Sequence, residues 1–466
     1  MDSPLPLTRD LVFVGGGHAH ALVLRKWGMD RLPGARLTLI NPDPAAPYTG
    51  MLPGHVAGHY AKDALMIDLV RLARFAGARL ILGKAHAVDL EAKLIHVTGR
   101  PPIRYDLASI DVGITADMPM LPGFAQYGVG AKPLDQFAAR WEAYVTDVAS
   151  GKKHGTVAVI GGGVAGCELA MAMAHRLADT GVEPQVAMIE RENALTGVDG
   201  GARAILFERL RAAGIRILER TEVARLDADG IVTDAGGIIR AEFTVGAAGA
   251  RPHDWLADLG LDHQGGFLVV DKYLRSVSDT SVYAAGDCAL MRDAPRPKAV
   301  VFAVRQAPIL FHNLRADLTG AQRRAYQPQK RFLKLISLGS KDAVAEGYGL
   351  APSGPWLWRL KDKIDQDFMD KFKRLPPMPK STPPRFHAKG LAAEMAGQPM
   401  CGGCGSKVAL GRLTQVLDEL PGPRRADVDA GPGDDAAILT VGGQKQVVST
   451  DHLRAFTDDP VLLTQI

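Results

Sequence analysis

The sequence is short of cysteine. Four occur in 466 residues, and only Cys401 and Cys404 stand close together, which excludes a disulfide framework and suits a reducing compartment. Long apolar runs are missing too: no stretch of about 18 apolar residues offers itself as a membrane span. The N-terminal MDSPLPLTRD lacks the basic segment and apolar run of a signal peptide. A cytoplasmic protein is expected, with any membrane association confined to a surface. Charge of one sign is not in excess either. The 55 Lys and Arg against 51 Asp and Glu leave a net +4, a mild preference for anions and no nucleic-acid footprint.

What is present is length and glycine. At roughly 100 to 200 residues per domain, the chain divides into about two to four domains. The first glycine cluster lies in DLVFVGGGHAHALVLRKW, an apolar β-type run, a tight turn and a helix-forming run. Gly15 permits the turn, and Gly17 lets a pyrophosphate approach free amides at a helix N-terminus. His20 stands where a third glycine is expected. The pair His18 and His20 lacks a carboxylate or cysteine at metal-ligand spacing, so structural or cofactor-facing roles are expected. The next strand, ARLTLINPD, ends at Asn41, which can accept a hydrogen bond from an adenosine ribose, with Asp43 nearby.

TVAVIGGGVAGCELAMAMAHRL repeats the pattern with all three glycines, Gly161, Gly163 and Gly166. The strand that follows, QVAMIERE, ends at Glu190, placed to bind both ribose hydroxyls and repel a 2′-phosphate. That favours NADH over NADPH. Two dinucleotide turns in one chain suit hydride transfer between two cofactors held face to face.

On these motifs the chain resembles the two-dinucleotide-binding-domain flavoproteins, and within them the type II NADH dehydrogenase and sulfide:quinone oxidoreductase group, over residues 8 to 372. FTVGAAGARPHDWL resembles the crossover from the nicotinamide domain, with Ala248 and Gly249 at the return. SVYAAGDCA resembles the second flavin motif, in which Asp287 would bind the ribityl chain and Gly286 clear space for it. KAVVFAVRQAPILFHNL resembles the helix facing the flavin pyrimidine, with Lys298 and Gln306 nearby. PYTGMLPG, beginning at Pro47, resembles the segment beside the isoalloxazine. The resemblance implies FAD and NADH as cofactors. Disulfide reductases need two cysteines beside the flavin. Cys167 and Cys288 have no near partner in sequence and are expected to be small buried residues. Electrons should therefore leave the flavin directly, to a quinone, to oxygen, to a selenium compound or to another soluble acceptor.

Trp356, Leu360, Ile364, Phe368 and Phe372 recur every four residues, which predicts one apolar helical face, packed on the flavin domain or docked on a membrane. Six prolines between Pro376 and Pro399 mark a spacer. Beyond it, MCGGCGSK poses a separate problem. Zinc would need two further ligands, yet His452 is the only later histidine. CGSK places Cys404 three residues before Lys407, whose ammonium can lower a thiol pKa or meet phosphate. GPGDDAAIL and VVSTDHL place Asp435 and Asp451 where they can hold Mg2+ against ATP. This set resembles the N-terminal portion of selenophosphate synthetase (selenide, water dikinase). By that resemblance, Cys404 handles selenium, Lys407 the transferring phosphate, and Asp435 and Asp451 the magnesium. The family continues past Ile466, so a truncated domain with absent or very weak kinase activity is expected.

The fold class expected is α/β, with two Rossmann-like domains. The FAD domain takes residues 1–120 and 246–325, the inserted NAD(H) domain 121–245, and a C-terminal region of the oxidoreductase 326–374. A linker occupies 375–399 and a partial selenophosphate synthetase domain 400–466. The function expected is an FAD-dependent NADH oxidoreductase with a non-dithiol acceptor, fused to a selenide, water dikinase segment. The rivals are a sulfide or selenide:quinone oxidoreductase and a non-catalytic flavin-binding regulatory protein. Expected partners are small molecules and no nucleic acid, with a homodimer and peripheral membrane contact left open.

Overall fold

The computed structural model describes residues 6–116, 118–347, 349–376, 389–390, 428–430 and 437–448. Along the chain run β1 (Arg9–Val14), α1 (His18–Met29), β2 (Ala35–Asn41), β3 (Arg79–Leu82), β4 (Leu107–Ile110), β5 (Gly128–Gly130) and α2 (Leu134–Ala149). Next come β6 (Thr156–Ile160), α3 (Val164–Ala178), β7 (Gln185–Ile189), β8 (Arg216–Leu218) and β9 (Phe243–Gly246). Then follow β10 (Val282–Ala284), α4 (Val300–Thr319), β11 (Lys334–Ser337), β12 (Ala343–Glu346) and α5 (Pro355–Lys373).

Two five-stranded sheets carry the architecture. The first has order β10-β4-β1-β2-β3 and the second β5-β9-β6-β7-β8, with every neighbouring pair parallel. A parallel strand covered on both faces must be apolar throughout rather than alternating. The central strands meet that demand: Leu11 to Val14 are buried without a break, and so are Val157 to Ile160. In both sheets the central strand runs into a glycine turn and a helix, with the next strand on one side and the returning strand on the other. The neighbours of β1, β2 and β4, run off to opposite sides, which leaves a crevice at the carboxyl ends of the strands. All strands of the second sheet fall between β4 and β10 in the chain.

The chain forms two compact units, Met1–Leu375 and Pro376–Ile466. In the second, the described residues form an antiparallel sheet of Val428–Ala430, Ala437–Val441 and Gln444–Val448. Cys404, Lys407, Asp435 and Asp451 lie outside the described residues, as does most of the proline-rich linker. Among the described residues no group of three His, Cys, Asp or Glu could hold a metal ion, and no helix is long and apolar enough to cross a membrane.

Helix α5 corrects the expected apolar stripe. Trp356, Leu360 and Ile364 are exposed at 55%, 38% and 47%, while Phe368 and Phe372 are buried. Four residues turn a helix through roughly 400°, so a four-residue repeat drifts about 40° per step and swings its ends to nearly opposite sides. The buried row is instead Leu357, Asp365, Phe368, Met369 and Phe372. It brings a carboxylate into the interior.

Candidate functional site

A cleft opens over the carboxyl ends of the first sheet and offers about 260 Å³ to the centres of water molecules. It is lined by Asn41 to Asp43 and Gly83 to Ala85, by Gly15 to Gly17 with Asp111 and Val112, and by Pro47, Lys132 and Asp287. Val300 and Ala303, at the start of α4, also line it.

The strand-end residues Asn41 and Glu190 do the same work in the two sheets. The Gly16 amide donates to Asn41 Oδ1 (2.9 Å), and the Gly162 amide donates to Glu190 Oε2 (2.7 Å). Each side chain ties the middle glycine of its turn to the neighbouring strand. Asn41 Nδ2 also donates to Asp43 O (2.7 Å), so its amide is oriented from both ends. In the second turn, a β-carbon at Gly166 would collide with the Gly161 carbonyl, so only glycine lets α3 start this close to the strand. Gly163 is the N-cap of α3 and faces open space.

His20 replaces the corresponding glycine of the first turn and does not reach the cleft. It is fully buried, stacks on Phe13 at 4.3 Å, and bonds Gly15 O through Nδ1 (2.6 Å) and Ser109 Oγ through Nε2 (2.8 Å). A carbonyl only accepts, so Nδ1 carries the proton and Nε2 accepts from Ser109. Burial lowers its pKa to about 4, and the ring is a neutral brace beneath the turn. Gln306 and Lys298 also support the wall from behind. Gln306 Oε1 accepts from the Gly286 amide (2.8 Å). Lys298 Nζ donates to Ala289 O (2.6 Å) and lies 4.0 Å over the Phe267 ring, and burial depresses its pKa. Gly249 lies in the exposed loop after β9 and is not among the residues that line the cleft.

Several site residues were not anticipated from sequence. Lys132 Nζ lies 3.3 Å from Asp287 Oδ2, which places a cation in the cleft. His18, expected from sequence to be structural or cofactor-facing, lines the cleft, and its Nε2 is buried without a hydrogen-bond partner. Burial brings its pKa to about 4, with Asp287 opposing that shift and Lys132 adding to it. Behind it, Phe368 stacks on Tyr48 at 4.4 Å. Tyr48 donates to Asp365 Oδ1 (2.9 Å), and Lys361 donates to Asp365 Oδ2 (2.7 Å) and Gly50 O (2.8 Å). Burial raises the Asp365 pKa. It also pushes Glu168 on α3 up to about 7, against the pull of Lys361 and of the Ser337 amide. Asp111 directly follows β4, is 2% exposed and accepts from the amides of Ala19 (2.9 Å) and His20 (3.1 Å). The available signal was position: ligands of open α/β sheets gather at the carboxyl ends of strands, and Asp111 is a carboxylate at one.

Cys167 and Cys288 are free and buried. Burial pushes the Cys288 thiol up to about 12 and the Cys167 thiol higher still. Neither is a reactive thiolate, and among the described residues there is no redox-active cysteine pair.

Two parallel sheets of this order, each with a glycine turn after its central strand, define an α/β dinucleotide-binding oxidoreductase fold. The chain belongs to the pyridine nucleotide-disulphide oxidoreductase family, whose model matches residues 9–307. It is 23% identical over 373 residues to the NADH dehydrogenase-like protein YutJ of Bacillus subtilis, covering 78% of this chain and 99% of that one. It is 27% identical over 268 residues to the demethylphylloquinone reductase NdbB of Synechocystis, covering 55% of this chain and 65% of NdbB. Among solved structures, the sulfide:quinone oxidoreductase of Aquifex aeolicus superposes with a TM-score of 0.67 at 16% identity, covering 79% of this chain and 92% of that one. NDH2 of Plasmodium falciparum does so at 0.65 and 16%, covering 79% and 99%. At these identities the structural likeness speaks for the fold.

Proposed function

We propose that the protein is an FAD-dependent NADH oxidoreductase that passes electrons to a quinone or another acceptor without a protein dithiol. The observation that carries this reading is the repeated sheet with its glycine turn, one copy opening onto a cleft that runs from Asn41 to Asp287. The cleft suits an extended dinucleotide. The turn Gly15–Gly17 would hold the pyrophosphate, the Asn41 end the adenosine, and Pro47, Lys132, Gly286 and Asp287 the flavin end. Flavin supplies hydride acceptance and electron transfer onward. Gly161, Gly163 and Gly166 would seat the NADH pyrophosphate, and the carboxylate of Glu190 disfavours a 2′-phosphate. On this reading residues 121–245 are the NAD(H) domain. The names borne by YutJ and NdbB agree with NADH as donor and a quinone as acceptor.

The test is NADH oxidation by the purified flavoprotein with a soluble quinone and, separately, with a selenium compound as acceptor. Turnover with NADH and quinone supports the reading. Flavin reduction by sulfide or selenide in place of NADH would instead favour the reverse direction, and bound flavin that neither donor reduces would favour a regulatory role. Membrane docking through the exposed Trp356, Leu360 and Ile364 is a further part of the proposal, checked by co-flotation with anionic lipid vesicles. For residues 400–466, the selenophosphate synthetase reading of Cys404, Lys407, Asp435 and Asp451 rests on sequence motifs alone. Mg2+-dependent ATP binding by the full chain that is lost in Lys407→Met and in Asp435→Asn supports it, and ATP binding that neither variant weakens removes it.

A further inference from the structure

We propose that Asp111 is a cofactor-binding residue that holds a proton in the flavin-loaded protein and donates it in a hydrogen bond to the cofactor's pyrophosphate. This inference rests on the flavin reading above. The amides at the start of α1 are the natural anchor for a pyrophosphate. Here a carboxyl already sits among them, since Asp111 Oδ2 accepts from Ala19 and His20. An ionised Asp111 and a pyrophosphate at the same turn would be like charges in a dry site, which forces one acid of such a pair to keep its proton.

The carboxyl has no room to swing away. The Asp111 amide donates to Val14 O (2.9 Å), and Asp111 O accepts from the Gly17 amide (3.1 Å). On both sides its carboxyl presses on glycine: a β-carbon at Gly17 or at Gly286 would collide with it. The two glycine turns of the cleft thus close around one carboxyl group, and the side chain lines the cleft between them.

No neighbour supplies a compensating positive charge. His18 and His20 on α1 are held neutral by burial, both at about 4. Lys132, ahead of α2, faces Asp287, and Lys298, ahead of α4, is bonded to Ala289 O. Cys288, after β10, keeps its proton, and Asp287 adds negative charge. In keeping with this geometry, burial first and Asp287 second push Asp111 up to about 7, against the two amide bonds.

Binding of the cofactor therefore takes up close to one proton above neutrality, and FAD affinity falls about tenfold per pH unit there. The test dilutes the purified flavoprotein into buffers from about pH 6 to about pH 9 and reads released FAD by its fluorescence, for wild type and Asp111→Asn. Asparagine keeps an acceptor for the Ala19 and His20 amides and carries its own donor at every pH. The expected result is release that rises with pH in wild type and is flat in the variant. Release from wild type that does not change with pH, or an equal slope in both proteins, overturns the inference. A flat wild-type profile overturns it even if the variant does not fold. Absence of flavin from both proteins after reconstitution at every pH removes the flavin reading itself, and this inference with it.

Discussion

Removing the carboxylate of Asp365 should cost the protein more than any other single truncation on α5. Asp365 is 4% exposed and is the acceptor for two donors, Tyr48 Oη and Lys361 Nζ. The Lys361 side chain is itself only 13% exposed. Asp365→Ala leaves a largely buried ammonium without its counter-ion and a buried hydroxyl without an acceptor. Breaking one side of a buried pair costs about 3–5 kcal/mol, and the orphaned hydroxyl adds about 1–3 kcal/mol. The triple variant Tyr48→Phe, Lys361→Met, Asp365→Leu removes the orphaned ammonium and hydroxyl at similar volume and leaves only Gly50 O short of its Lys361 donor, and well-packed apolar replacements of buried pairs are often neutral or stabilising. It should recover at least half of the loss. The assay is urea unfolding followed by circular dichroism, with the single and triple variants compared under one set of conditions. A loss below about 1 kcal/mol in Asp365→Ala, or a triple variant as unstable as the single, would refute the account of this network.

Gly166→Ala drives a β-carbon into the Gly161 carbonyl and should raise the KM for NADH about tenfold or more, a loss near 1.4 kcal/mol, with flavin content unchanged. Steady-state kinetics with an absorbance ratio for flavin checks both halves. In a Cys401→Ser, Cys404→Ser background, Cys167 and Cys288 should not react with Ellman's reagent until the chain is unfolded, because burial keeps both protonated. Rapid labelling of the native protein would contradict this. In the flavin-free protein the stability that Asp111 contributes should be lost as pH rises from about 4 to about 7, against the opposite contribution of His18 and His20, whose depressed pKa values add stability over much of the same range. Its folded state binds the Asp111 proton more tightly than the unfolded chain does, with a pKa moved from 3.8 to about 7. Three units correspond to roughly 4 kcal/mol as an upper bound. Asp111→Asn should lack this slope when pH-dependent urea midpoints are compared.

The parts of the fold legible in the sequence are those governed by local rules. An apolar run, a glycine turn and a helix-forming run make a strand, a sharp turn and a helix with little help from elsewhere, and this held at both glycine clusters. The ends of β2 and β7 were legible because Asn41 and Glu190 interrupt apolar strands. What was not legible depends on residues distant in sequence. Asp111 meets the α1 amides across 91 and 92 residues, and Tyr48 meets Asp365 across 317. No periodicity announces either contact. The stripe on α5 was misread for a different reason, since four-residue spacing was taken as one face although it drifts around a helix. His20 was anticipated as structural or cofactor-facing, and the structure uses its ring as a brace. Its two nitrogens meet Gly15 O and Ser109 Oγ, and that packing is invisible in a glycine-pattern search.

The central claim is that electrons pass from NADH to flavin and leave without a dithiol relay. An anaerobic titration of the flavoprotein with NADH tests it most directly. Full bleaching of the flavin by one equivalent of NADH, with no further uptake, is the predicted result, because a flavin takes up one hydride and the described cysteines are buried and unpaired. Uptake of a second equivalent, or a flavin that NADH does not bleach, would contradict the account.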